Sequence, residues 1–88
     1  MIRYHGLTYK TKMIGSIECR TIYAGRTKLI QACASMMEND RANGTACWHV
    51  SRWQKDGELS RAIPGHRWQD ALEMALVYGD ALGVIRHR

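Results

Sequence analysis

Thr27-Lys28-Leu29-Ile30-Gln31-Ala32-Cys33-Ala34-Ser35-Met36-Met37 is the stretch on which the fold turns. Thr27 carries a side-chain oxygen that can accept a hydrogen bond from the first free amides of a helix starting at Lys28. Leu29, Ile30, Cys33, Met36 and Met37 then recur at helical spacing and make one apolar stripe. Glu38-Asn39-Asp40-Arg41 forms a polar end, and Asn43-Gly44 is a helix stop, since glycine accepts a positive φ. The pattern predicts a helix from Lys28 to about Ala42.

On the N-terminal side, Leu7, Tyr9, Thr11 and Met13 alternate with Thr8, Lys10 and Lys12, the period of a strand. Ile14-Gly15-Ser16-Ile17 suits a two-residue II′ turn, Glu18 to Tyr23 returns as a second strand, and Ala24-Gly25 breaks it. On the C-terminal side, Ala46 to Gln54 alternates and Asp56-Gly57 suits a type I′ turn. Glu58 to Ile63 then returns, and Pro64-Gly65 ends the hairpin. Trp68, Ala71, Leu72, Ala75, Leu76, Gly79 and Leu82 follow at helical spacing, with Gly83 as the cap and Val84-Ile85 as a short edge strand.

Residues 7–44 and 45–83 therefore read as two similar halves of one domain spanning 1–88, each a hairpin, a glycine break and a helix. The expected fold is α+β, with a ββαββα order and two helices packed on one face of an antiparallel sheet. Small residues at Ala71, Ala75 and Gly79 leave a groove for the first helix. The same face is the candidate seam of a homodimer.

A chain of 88 residues is too short for a second core. Its 45% hydrophobic and 24% charged content, with one Pro, is that of an ordinary globular domain. No apolar run approaches the roughly 18–20 residues of a membrane span. Met1 to Gly6 lacks the apolar core of a secretory signal. Cys19, Cys33 and Cys47 are an odd set, expected as buried free thiols in a reducing, cytoplasmic setting. No C-x-x-C occurs and Cys47-x-His49 is too tight for half a zinc finger, so neither metal nor cofactor is expected. His5, His49, His66 and His87 stand in no hydrolase, zincin or phosphate-loop pattern, which predicts a protein that is not an enzyme.

Charge is more informative. The net +5 is concentrated in residues 1–26, where Arg3, Lys10, Lys12, Arg20 and Arg26 face Glu18 alone. A localised positive field suits nucleic acid or an acidic protein surface. Lys10 and Lys12 share a face with Thr8, Thr21 and Tyr23 if Gly15-Ser16 is the first turn. With Asp56-Gly57 as the second turn, Trp48, Val50, Leu59 and Ile63 form a core face, and Trp53 stands on the polar face beside His49 and Lys55. Arg52 then faces Arg61, a like-charge pair that costs stability unless an anion sits between them. Removing Arg52 is accordingly expected to leave stability unchanged or to raise it. The candidate binding residues are Lys10, Lys12, Arg20, His49, Arg52, Trp53, Lys55 and Arg61.

Thr21-Ile22-Tyr23-Ala24-Gly25-Arg26-Thr27 resembles the second motif of GIY-YIG nucleases, but the first motif is missing upstream, so no activity follows. Trp48-His49-Val50 through Asp56-Gly57 to Gln69-Asp70-Ala71 resembles the ββα arm-type DNA-binding modules of phage tyrosine recombinases, which implies DNA contact through that half. The small, basic, motif-poor build is similar in type to anti-CRISPR proteins. The expected function is non-catalytic nucleic-acid binding through the two hairpins. The alternative is a phage-type inhibitor that binds and blocks a host protein complex.

Overall fold

The computed structural model describes residues 6–35 and 47–85. Among these the chain runs β1 (Leu7–Ile14), β2 (Ile17–Ala24), β3 (Thr27–Ser35), β4 (Trp48–Arg52), β5 (Ile63–His66) and α1 (Trp68–Ala81). The strands form one sheet in the order β1-β2-β3-β4-β5, each antiparallel to its neighbours. One C-terminal helix lies over β2, β3 and β4. This overturns the ββαββα order: residues 28–35 of the expected first helix, with Thr27 as its expected cap, are a strand, and the rest of it, with its Asn43-Gly44 stop, falls outside the described residues.

The reason lies in a turn and a bulge. Gly25, at φ 60°, opens a two-residue turn that repeats the geometry of Gly15, at φ 61°. The chain leaving Ala24 is thus delivered directly onto the free edge of β2 as a third strand. Ile22 pairs with Ile30 but Tyr23 pairs with Lys28, so Leu29 is an extra residue on β3. A bulge of this kind shifts the side-chain parity by one. Leu29 and Ile30 are both fully buried as a result, although they are adjacent in sequence. Two consecutive inward residues break the period of two, and in the sequence they imitate a helical stripe. Beyond the bulge Ile30, Ala32 and Ala34 alternate inward as a strand requires.

The second hairpin also departs from its expected register. Gln54 accepts a bond from the Gly57 amide at 3.0 Å and donates its own amide to Glu58 at 2.8 Å, with Gly57 at φ 86°. That is a three-residue loop with a glycine bulge rather than a two-residue turn. Trp53 consequently bridges Leu59, and Arg52 exchanges bonds with Ser60 at 2.8 Å on both sides, so Arg52 does not face Arg61. The irregular stretch that follows restores Val50 opposite Ile63. Pro64 and Gly65 lie within β5, which is an edge strand, where a missing amide is tolerated. Leu59 and Ile63 are exposed and do not join the core face.

α1 follows the sequence pattern closely. The Arg67 amide donates to the Asp70 carboxylate at 2.9 Å, satisfying one amide at the helix entry. At the other end Val84 bonds back to Gly79 and Gly83 to Asp80, each at 3.0 Å, with Gly83 at φ 75°. These are the paired bonds of a Schellman cap. Val84 and Ile85 are not a strand; Ile85 is buried instead. A methyl group on Gly79 would meet Ile85 at 2.7 Å and Leu29 at 3.1 Å, so glycine is what permits this close docking. Ala71, Ala75 and Gly79 face the sheet and are buried, which removes that stripe as a dimer seam. No helix among the described residues is long and apolar enough to cross a membrane.

Candidate nucleic-acid interface

Register assigns each strand residue to a face. Glu18, Arg20, Ile22, Ile30, Ala32, Ala34, Trp48, Val50 and Arg52 align across β2, β3 and β4 on the helix side. The opposite face is built from four cross-strand rows. Thr8, Tyr23 and Lys28 make the first, which continues to Trp53. Lys10, Thr21, Gln31 and Ser51 make the second, and Lys12, Cys19, Cys33 and His49 the third. Ile14, Ile17 and Ser35 make the last. Thr8, Lys10, Lys12, Lys28 and His49 are exposed, while Tyr23 and Trp53 are half-buried.

Cations and rings alternate across this face. The Lys10 ammonium lies 5.5 Å from the Tyr23 ring centre, and the Lys28 ammonium lies 4.6 Å from that of Trp53. Lys10, Tyr23 and Lys28 come from β1, β2 and β3, and Trp53 directly follows β4, so each step is about 4.8 Å in the sheet direction. No acidic residue stands on this face among the described strand residues; Glu18, on the other side, is bonded to Arg20 at 2.7 Å. The helix has the converse composition, carrying Asp70, Glu73 and Asp80 with no Lys or Arg. Among the described strand and helix residues, the carboxylates therefore all lie on the helix side, together with Arg20 and Arg52, while the opposite face carries cations alone.

At the end nearest Trp53 the face runs into a cavity of about 340 Å³ lined by Arg26, Lys28, Trp53, Lys55, Tyr78 and Leu82. Trp53 is held there by its backbone: its amide donates to Leu29 at 2.8 Å, and its carbonyl accepts the Tyr78 hydroxyl at 2.6 Å. Its indole N–H is buried and makes no hydrogen bond among the described residues. A buried donor left unsatisfied costs about 1–3 kcal/mol.

The eight residues expected to form the site separate accordingly. Lys10, Lys12 and His49 stand on the basic face, and Trp53 with Lys55 lines the cavity at its end. Arg20 points to the other side, where its guanidinium sits 5.2, 5.0 and 4.6 Å from the rings of Tyr9, Trp48 and Trp68. Arg52 also lies on the helix side, 5.4 Å from the Tyr78 ring. Arg61 is exposed in the irregular stretch before β5. Arg26 and Lys28 were not among the expected residues. The Gly25-Arg26 turn, read as a hairpin like Gly15-Ser16, is the signal that places them.

The third row holds the two closest thiols. Cys19 and Cys33 are direct cross-strand partners with sulfurs 2.6 Å apart. Burial, then the hydrogen bond and charge of Cys33, push the Cys19 thiol up to about 12. Cys33 lines a second cavity, of about 330 Å³, with Ile17, Ala34, Ser35 and His49.

Comparison with protein-family models, with curated proteins and with solved structures finds no match to this chain.

Proposed function

We propose that the protein binds single-stranded nucleic acid along the sheet face opposite the helix. The observation that carries this reading is the alternation of Lys10, Tyr23, Lys28 and Trp53 across β1, β2, β3 and the residue that follows β4, with no carboxylate among them. Lys10, Lys12 and Lys28 meet phosphates, while Tyr23 and Trp53 offer ring faces on which unpaired bases stack. Arg26 and Lys55 extend the positive field around the end cavity. Both hairpins contribute, the first through its lysines and the second through Trp53 and Lys55.

A second reading, an acidic protein partner as for an inhibitor of a host complex, is favoured by one feature. Ile14 and Ile17, at 55% and 43% exposure, form an apolar tip at the far end of the same face.

Affinity for a labelled mixed-sequence single strand, measured across a salt series, separates the two readings. Counterion release gives a log–log slope of about −0.7 per phosphate contact on single strands. The double change Lys10→Ala plus Lys12→Ala should therefore flatten the slope by about 1–2. An absence of binding at low salt would reject the nucleic-acid reading and leave the protein partner.

A further inference from the structure

We propose that Cys19 and Cys33 form a disulfide site, closed by exchange with small disulfides of the glutathione class. This does not rest on the nucleic-acid reading. The two residues are opposed in register on neighbouring antiparallel strands. Opposed residues in such pairs have Cα atoms about 4.5–5.5 Å apart, inside the 4.4–6.8 Å window that a disulfide spans. Their sulfurs, at 2.6 Å, are closer than unbonded thiols normally sit and little further than the ~2.05 Å of a covalent bond. Closing the bridge thus needs no rearrangement of strands.

The two thiols differ in access. Cys33 opens onto the cavity it shares with His49, while Cys19 is buried beneath the face. The order of events follows. The Cys33 thiolate attacks one sulfur of the small disulfide; a mixed disulfide forms at Cys33 and one thiolate departs, taking up a proton. Cys19 then attacks the Cys33 sulfur and loses its own proton. The mixed bond breaks, the Cys19–Cys33 bond forms, and a second small thiol leaves. Two protein thiols are oxidised while one disulfide is reduced to two thiols, so electrons and protons balance. Capping Cys33 also removes the hydrogen bond and charge that, after burial, hold the Cys19 proton most firmly. The first exchange therefore activates the second.

The experiment is peptide mapping of the intact chain after incubation with oxidised glutathione and alkylation of the remaining thiols. Trypsin places each cysteine in its own peptide: 13–20 for Cys19, 29–41 for Cys33 and 42–52 for Cys47. Peptides 13–20 and 29–41 should be found linked, with Cys47 alkylated. Cys47→Ser should form the same link. Cys19→Ser should stop at a glutathione adduct on Cys33. The melting temperature should rise on oxidation and return with reductant. A link involving Cys47, a bridge between two chains, or three alkylated thiols after oxidant would each overturn the proposal.

Discussion

The two faces of this sheet are built from the same strands and have opposite chemistry. On the helix side Ile22, Leu29, Ile30, Ala32, Trp48 and Val50 pack against Ala71, Ala75 and Ile85, all buried. On the other side the same strands present Lys10, Lys12, Thr21, Lys28, Gln31 and His49. An antiparallel sheet with one apolar face can fold on that face alone. The difference teaches that the residues that hold the fold and those of the proposed binding face are separable here, residue by residue, by the parity of a strand position. Among the described strand residues the one carboxylate, Glu18, and the arginine bonded to it both point toward the helix side, which leaves the described part of the basic face without a counter-charge on its strands.

Substitutions on the helix side should act on stability and leave binding intact. The largest effect is expected at Trp48, which is 4% exposed and packs 5.3 Å from Trp68. Trp48→Ala should lower unfolding free energy by about 3–5 kcal/mol in denaturant titration. A loss below about 1 kcal/mol would mean that the helix is not seated where we describe it.

Arg20 sharpens the comparison because its charge would suit either face. Its guanidinium is enclosed by Tyr9, Trp48 and Trp68 and bonded to Glu18. Arg20→Met keeps the stem and removes the charge, and should cost about 1–2 kcal/mol. Oligonucleotide affinity should not change beyond what partial unfolding explains. A flattened salt slope in this variant would move Arg20 to the binding face.

The effect at Arg52 is smaller and reverses the expectation from sequence. Because Arg52 lies opposite Ser60 and against the Tyr78 ring, there is no like-charge repulsion to relieve. Arg52→Ala should destabilise the domain by about 0.5–1 kcal/mol, in proportion to a partly exposed cation–ring contact. Smallest of all, Lys10→Ala plus Lys12→Ala should leave stability within about 0.5 kcal/mol, as for exposed side chains away from caps and turns. A melting transition lowered by several degrees would show that the basic face also supports the fold.

What was legible in the sequence follows from local rules that nothing overrode. Gly15-Ser16 and the alternation around it placed Lys10, Lys12, Thr21 and Tyr23 on one face, and the register agrees. The C-terminal helix and its Gly83 cap were equally plain, since the apolar spacing and the stop coincide. The third strand was not legible. One bulge at Leu29 put two adjacent apolar residues inward, and a period of two became indistinguishable from a helical stripe. That single shift hid Lys28 from the candidate site, gave Cys33 to a helix rather than to Cys19, and kept β3 out of the expected sheet. The register near Arg52 failed for a related reason, because Gly57 served a three-residue loop.

The central claim is that binding belongs to one face of the sheet. Backbone amide shifts in a ¹⁵N-labelled sample, followed while a short single-stranded oligonucleotide is added, test it most directly. Lys10, Lys12, Thr21, Tyr23, Lys28, His49 and the Trp53 indole N–H should move together and saturate together, while Glu73, Val77 and Asp80 on the helix stay still. Shifts concentrated on the helix, or spread evenly over both faces, would contradict the account.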